Sequence, residues 1–361
     1  MDENILYYLG FSYCSGIGPL RFQQLMEHFK DVKKAYLASK QELSTILWPS
    51  IVKNFMDFRN TFDAERELNS FQQQNITVAT VDSLQYPPQL LNIKYPPICL
   101  YIKGEKNCNN FAEDLYFGVV GTRYPSSYGE YITNQFAGDL ADAGFTIVSG
   151  MAKGVDAIAH SAAIGKRKKT VAFLGCGVNH AYPFENRKLY HEIITGNGVV
   201  ISEFPPDMYV DRGLFVARNR LISGLSQGLL VVEGKKTSGA LITANCALEQ
   251  GKDVFAPPVP LNSTNSEAPI FLLKNGAKLV LSVEDILDEY KMQRAAIKTT
   301  QIKNLQEEEK LIMQEVAKEP LLANDIGLHL GWPIHKVLTF ITLLEIKSAL
   351  AKNKEGRYEI R

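Results

Sequence analysis

Gly121-Thr122-Arg123 sets a hydroxyl, a backbone N–H and a guanidinium side by side directly after the apolar run Leu115–Val120. Glycine permits a sharp turn, and arginine presents a planar fork of donors matched to phosphate. Gly150-Met-Ala-Lys153-Gly154 repeats the theme with an ammonium between two glycines. Asp156 and His160 follow at i and i+4, on one helical face. That spacing suits an acid–base pair or, more plainly, a hydrogen-bonded pair that orders the helix start. Gly175-Cys-Gly is a third glycine turn. Arg212-Gly-Leu-Phe215-Val-Ala-Arg218-Asn219-Arg220 adds arginines for phosphate and a ring on which an unpaired base can stack. The same residues also suit an ordinary cationic helix face with Phe215 buried. Thr237-Ser238-Gly239 opens a further helix, with Thr243 one turn in; small hydroxyls and free N–H groups there suit an oxyanion. Neither the dinucleotide fingerprint nor a P-loop fits, because Gly-x-Gly-x-x-Gly is absent at the first turn and no Gly-Lys-Ser/Thr follows. Lys166-Arg-Lys-Lys reads as a solvated turn at the opposite edge.

Each of these turns follows a short apolar run and precedes an amphipathic segment. The runs are Leu115–Val120, Phe145–Val148, Thr170–Leu174, Val199–Ile201, Leu229–Val232, Asp253–Ala256 and Lys278–Leu281. Their length and Val/Ile/Phe content suit strands buried on both faces. Ser127–Ala143, Val155–Gly165, Glu185–Thr195 and Ala240–Glu249 are long enough for the intervening helices. This β-then-α order predicts an α/β fold, an extended Rossmann-like, doubly wound parallel sheet over residues 76–290. Ligands on such sheets bind beyond the carboxyl ends of the strands, where all the turns above would lie.

Before it, residues 1–75 read as a small helical domain, of helix-hairpin-helix or SAM-like type. Leu6, Leu9, Leu20, Phe22, Leu25, Phe29 and Leu37 recur at helical spacing, and Ser15-Gly-Ile-Gly-Pro breaks them. Tyr86-Pro-Pro and Tyr95-Pro-Pro bracket a connector too proline-dense for a central strand. After the sheet, Lys291–Lys310 reads as a linker. Residues 306–361 then read as three helices and a hairpin, a winged-helix domain; Pro333 suits the first turn of the third helix.

The 361 residues carry 39 Lys+Arg against 39 Asp+Glu, so a polyanion site has to be a local concentration of positive charge on a neutral body. The 45% hydrophobic content excludes a disordered or collagen-like chain. No apolar run reaches the roughly 18 residues of a membrane span, and the acidic start Met1-Asp-Glu-Asn is unlike a secretory leader. Cys14, Cys99, Cys108, Cys176 and Cys246 are scattered without Cys-x-x-Cys, the pattern of reduced thiols in a cytoplasmic protein.

In order along the chain stand Gly121-Thr-Arg, Ser149-Gly-Met-Ala-Lys-Gly-Val-Asp-Ala-Ile-Ala-His, Gly175-Cys-Gly, Tyr182-Pro-Phe-Glu-Asn, Ser202-Glu-Phe-Pro-Pro, Phe215-Val-Ala-Arg-Asn-Arg-Leu-Ile-Ser-Gly-Leu and Thr237-Ser-Gly-Ala-Leu-Ile-Thr-Ala. Together they resemble the DNA-processing protein A (DprA/Smf) family. The resemblance implies a cytoplasmic, homodimeric protein that binds single-stranded DNA and helps load the RecA recombinase during natural transformation. It implies no catalytic reaction, no cofactor, no metal and no membrane. By position, Arg123 would bind the DNA backbone, Lys153, Arg212, Arg218 and Arg220 would line the same pocket, and Phe215 would stack on a base. Ser238 and Thr243 would frame the pocket; Gly121, Thr122, Gly150, Gly154, Asn219 and Gly239 complete the expected set. One departure stands out: Pro257-Pro-Val-Pro-Leu-Asn-Ser, with Ala268 and Ile270, replaces the family's Val-Pro-Gly-Ser and its later Gly and Asn. It implies altered geometry there and not lost binding.

Two other classes of function compete with this one. A nucleotide phosphoribohydrolase of the lysine-decarboxylase-like fold would carry Pro-Gly-Gly-x-Gly-Thr, which this chain lacks; Glu233 is its nearest carboxylate candidate. A winged-helix duplex-DNA regulator would want Arg, Asn or Gln on its recognition helix. Pro333–Leu344 offers only His335 and Lys336, so a packing or protein-contact role suits that domain better.

Overall fold

The computed structural model describes residues 4–104, 111–112, 114–292, 306–317, 320–346, 350–353 and 356–360. The chain forms two compact units, Met1–Lys291 and Met292–Arg361.

The first unit opens with helices α1 (Ile5–Tyr13), α2 (Pro19–Phe29), α3 (Val32–Leu37), α4 (Lys40–Leu43), α5 (Pro49–Arg59) and α6 (Ala64–Gln73). Their starts are marked locally. Proline occupies the first turn of α2 and α5, Asp31 caps α3, and Ser39 with Glu42 forms a capping box on α4. Strands β1 (Ile76–Thr80) and β2 (Cys99–Gly104) follow, then β3 (Leu115–Val120), α7 (Ser127–Asp142), β4 (Phe145–Ser149), α8 (Val155–Gly165), β5 (Thr170–Phe173), α9 (Arg187–Thr195) and β6 (Gly198–Ser202). The unit continues with α10 (Arg212–Leu225), β7 (Gly228–Val231), α11 (Gly239–Glu249), β8 (Asp253–Ala256), α12 (Glu267–Lys274), β9 (Lys278–Leu279) and α13 (Val283–Glu289).

Among the described residues these nine strands make one sheet, ordered β1-β2-β6-β5-β4-β3-β7-β8-β9. From β6 to β9 every pairing is parallel, as the sequence pattern predicts. The β1–β2 hairpin, antiparallel to β6, is an addition that the sequence reading does not contain. The strand alternation sorts side chains into two cores. Leu100, Ile102, Val171, Phe173, Val199 and Ile201 face Leu221, Leu225 and Ala244 of α10 and α11. Tyr101, Ala172, Leu174 and Val200 face α9 and the N-terminal helices, including Leu9, Phe11 and Phe71. Period-two alternation with apolar residues at both phases is what burial on both faces demands. The N-terminal helices therefore share a core with the sheet.

Chain order in the sheet reverses where β7 returns beside β3, which creates a switch-point crevice at their carboxyl ends. Lys166-Arg-Lys-Lys lies at the amino end of β5, away from that rim, with Lys166 paired to Asp142 and Lys169 to Asp114. Cys14, Cys99 and Cys176 are buried free thiols and Cys246 is half-buried, while Cys108 lies outside the described residues.

In the second unit, helices Glu307–Val316, Ala323–Leu330 and Ile334–Ile346 precede the antiparallel strands Leu350–Lys352 and Tyr358–Ile360. Ile312, Ile326, Val337, Ile341, Leu344 and Tyr358 form its core. Much of the expected linker, residues 293–305, lies outside the described residues.

Candidate nucleic-acid interface

At the end of β3, Gly121 is required by its neighbours: a Cβ there would press on Val155 and approach the Glu233 carbonyl at 3.0 Å. The turn is sewn to the next loop, because Val155 N–H donates to Thr122 O at 3.1 Å. Gly154, at φ +76°, takes a backbone conformation that disfavours any side chain, and a Cβ would overlap the Thr122-Arg123 backbone. Thr122 Oγ1 accepts the Tyr124 N–H at 3.2 Å. Arg123 is left exposed, with no ion pair among the described residues. Lys153, on the neighbouring β4 exit, is half-exposed and paired with Glu185, a hydrogen bond that raises its pKa.

Arg218 lies beneath, 4% exposed. Its Nη1 donates to Phe173 O, and its guanidinium covers Gly150, where a Cβ would overlap it. Burial, and to a smaller degree the positive charge of Arg123, lowers its pKa to about 10 against the opposing pull of Asp156. Arg218 is therefore a floor beneath Arg123 and not a surface fork. Asp156 is buried too. Its Oδ2 accepts from Gly150 N–H at 3.1 Å and Ala152 N–H at 3.3 Å, so the β4 loop amides already hold a carboxylate. Burial raises the Asp156 pKa and Arg218 opposes the rise. His160 does not join it. The His160 Nδ1 meets Thr170 Oγ1 at 2.6 Å, and burial lowers its pKa to about 3. The i, i+4 pair is thus two separate internal anchors, and neither an acid–base pair nor a mutual hydrogen bond.

Other expected residues fall elsewhere. Arg220 is ion-paired with buried Glu203, apart from Arg218, because residues two apart on a helix face different ways. Asn219 is buried and its Nδ2 donates to Gly239 O at 3.4 Å, joining α10 to the first turn of α11. Thr243 is buried and turns its hydroxyl back to the same carbonyl at 3.2 Å. Neither is available to a ligand. Gly239 and Thr237 are exposed at the start of α11, and the Ser238 hydroxyl packs over Gly234. Arg212 begins α10, but its side chain lies outside the described residues.

Phe215 is half-buried. It packs on Gly175 and pairs with the Tyr182 ring at 5.4 Å. Around it stand aromatics absent from the expected set: Tyr124 is 76% exposed, Phe184 74% and Tyr209 79%. Tyr124 and Phe184 each adjoin a proline, Pro125 and Pro183, and Tyr209 carries no such mark. The departing loop at Pro257 packs against the same rim. Tyr128 Oη donates to Pro258 O at 2.7 Å, Asn265 Nδ2 to Tyr124 O at 2.9 Å, and Ala268 N–H to Gly234 O at 2.8 Å.

In the switch-point crevice, fully buried Glu233 accepts Ser126 N–H at 2.9 Å and Ser126 Oγ–H at 2.6 Å. A Cβ at Gly129 would overlap its carboxylate, so the glycine makes room for it. The N-cap residue of α7, Ser126, is thus held by a carboxylate of the protein itself. Glu233, the hydrolase reading's nearest carboxylate candidate, is buried and engaged by Ser126.

A parallel-rich sheet with helices on both faces, carrying the exposed Arg123 and exposed aromatics on the loops at its carboxyl ends, defines an α/β protein. The chain belongs to the DNA recombination-mediator protein A family, whose model matches residues 77–291. It is 36% identical over 284 residues to Protein Smf of Synechocystis, covering 78% of this chain and 71% of that protein. It is 39% identical over 224 residues to the DNA processing protein DprA of Bacillus subtilis, covering 62% and 74%. The X-ray structure of DNA processing protein A from Streptococcus pneumoniae superposes with a TM-score of 0.70 at 31% identity, covering 79% of this chain and 97% of that one. That from Helicobacter pylori, described for its single-stranded DNA binding mode, gives 0.53 at 30% identity, covering 60% and 96%.

Proposed function

We propose that this chain binds single-stranded DNA along the carboxyl rim of its sheet and loads the RecA recombinase onto incoming DNA during natural transformation. The observation that carries the first part is Arg123: exposed, free of any ion pair among the described residues, and set over the buried charge of Arg218. A phosphate there meets a fork that no described residue pairs with, and open aromatic faces stand nearby for unpaired bases. The Helicobacter pylori relative supports a single strand as the ligand. In this reading the protein acts as a cytoplasmic homodimer and without catalysis. Its first helices are a helix-hairpin-helix or SAM-like domain, its central domain is extended Rossmann-like, and its last three helices and hairpin are a winged helix. RecA loading and dimerisation rest on family membership.

Fluorescence anisotropy with labelled oligo-dT tests the reading. Binding should weaken steeply with salt through counterion release, and duplex of equal length should bind more weakly. Equal affinity for single and double strands overturns it. Release of adenine from AMP would favour the hydrolase instead.

A further inference from the structure

We propose a second nucleobase station on this protein, formed by Tyr209 backed by His180, at the β6 side of the rim. It rests on the single-strand reading and extends it.

Two chain segments build the station, and they are tied together before any ligand arrives. Gly177 N–H donates to Met208 O at 2.8 Å, and Asn179 N–H to Pro206 O at 3.0 Å. A Cβ at Gly177 would overlap the Pro205 and Pro206 carbonyls, so this approach requires glycine. Asn179 Nδ2 donates to Asp207 Oδ1 and to Gln74 Oε1, each at 2.7 Å, and Lys103 Nζ donates to Asn179 Oδ1 at 2.9 Å. The His180 Nε2 lies 3.0 Å from Asp207 O, which fixes the imidazole plane.

On this frame the His180 and Tyr209 rings stack, with centroids 4.7 Å apart and planes at 30°. One face of Tyr209 is covered by imidazole and the ring is otherwise open. The fixed imidazole backs the open Tyr209 ring, which lessens what stacking of a base has to immobilise on the protein side. The same two segments make the first station: Tyr182, two residues beyond His180, pairs with Phe215, six beyond Tyr209. The charges built into the frame, Lys103 and Asp207, are both bonded to Asn179. The station is therefore suited to a base and not to a phosphate.

Sheet order sets the direction. Arg123 leaves β3, Lys153 leaves β4, Gly175 and its Phe215 partner mark the β5 exit, and Tyr209 follows β6. The segment carrying Tyr209 is bonded to the loop after β5, at least two interstrand spacings from the β3 exit, about 10 Å. An oligonucleotide whose backbone meets Arg123 thus reaches Tyr209 only when it is longer than one nucleotide.

The test uses the full-length chain with oligo-dT of increasing length, read by anisotropy, and the Tyr209→Ala and Tyr209→Trp variants. The expected result is unchanged binding of the shortest oligonucleotide that binds and a loss of about 5- to 100-fold for longer ones in Tyr209→Ala, with recovery in Tyr209→Trp. Arg123→Ala should weaken every length. If Tyr209→Ala matches the unaltered chain at all lengths while Arg123→Ala still weakens them, the station is wrong and the single-strand reading stands. Equal loss at every length also overturns it, by making Tyr209 part of the first site. Failure of the unaltered chain to bind oligo-dT removes both.

Discussion

Replacing Arg123 by alanine isolates one guanidinium that the protein itself does not neutralise. The side chain is exposed, so its removal leaves no cavity and the melting temperature should hold. On single strands each neutralised phosphate contributes about 0.7 to the slope of log K against log salt. Arg123→Ala should therefore make the slope shallower by about 0.7. One charge-assisted hydrogen bond is worth about 1.5–3 kcal/mol, so affinity at low salt should fall by roughly 10- to 100-fold, with the deficit narrowing as salt rises. Arg123→Lys should keep the slope while losing part of the affinity, since an ammonium retains charge without the fork. Arg220→Met is the internal control: paired with Glu203, it should leave the slope alone and lower the melting temperature. Anisotropy titrations of labelled oligo-dT across a sodium chloride series measure all four proteins. Parallel salt lines for Arg123→Ala and the unaltered chain would refute the reasoning, as would an equal slope change in Arg220→Met.

Glu185→Gln should tighten oligo-dT binding and steepen its salt dependence, because it frees Lys153 from its ion pair; unchanged titrations would count against Lys153 as a contact. Arg218→Met removes the charged donor to Phe173 O and the positive charge that favours the Asp156 carboxylate, which should cost about 1.5–3 kcal/mol and lower the melting temperature by roughly 3–12 °C in calorimetry. A melting temperature within a degree of the original contradicts the floor role. His160 is held neutral in the fold to about pH 3, whereas an unfolded imidazole takes a proton near 6.5. Between those values the unfolded state binds the extra proton, so stability falls as pH drops below about 6.5, by roughly 2 kcal/mol at pH 5. His160→Gln should lose that portion of the acid sensitivity in urea melts at pH 7 and pH 5; identical pH dependence in both chains refutes it.

Much of the sheet was legible because its strands are short apolar runs closed by glycine, and helices begin a few residues after each. The β1–β2 hairpin was not, because Ile76–Thr80 and Cys99–Gly104 flank a proline-dense segment that masks them as strands. The first glycine-Thr-Arg turn stood out through residue type alone. Arg218 and Arg220 were grouped by proximity in sequence, yet their spacing of two already places them on different sides of a helix. Phe215 and Arg218, three apart, share a face, with Phe215 half-buried at the rim and Arg218 buried below it. Whether Asn219 or Thr243 is buried depends on how α10 packs against α11, which no local pattern carries. The aromatics Tyr124, Phe184 and Tyr209 are the reverse case, since core and surface rings look alike until the loops are placed.

Glu233 has a consequence for which molecules can compete at this rim. In related sheets the helix start beside the central strand offers its amides to the terminal phosphate of a nucleotide. Here a visiting mononucleotide would have to evict a carboxylate that is sealed from water and held by two donors from Ser126. Free nucleotides should therefore compete poorly with oligo-dT at the centre of the sheet. In the proposed reading a polymer needs no such seat, because its internal phosphates would pass over the outer loops, and neither of its ends has to be found first.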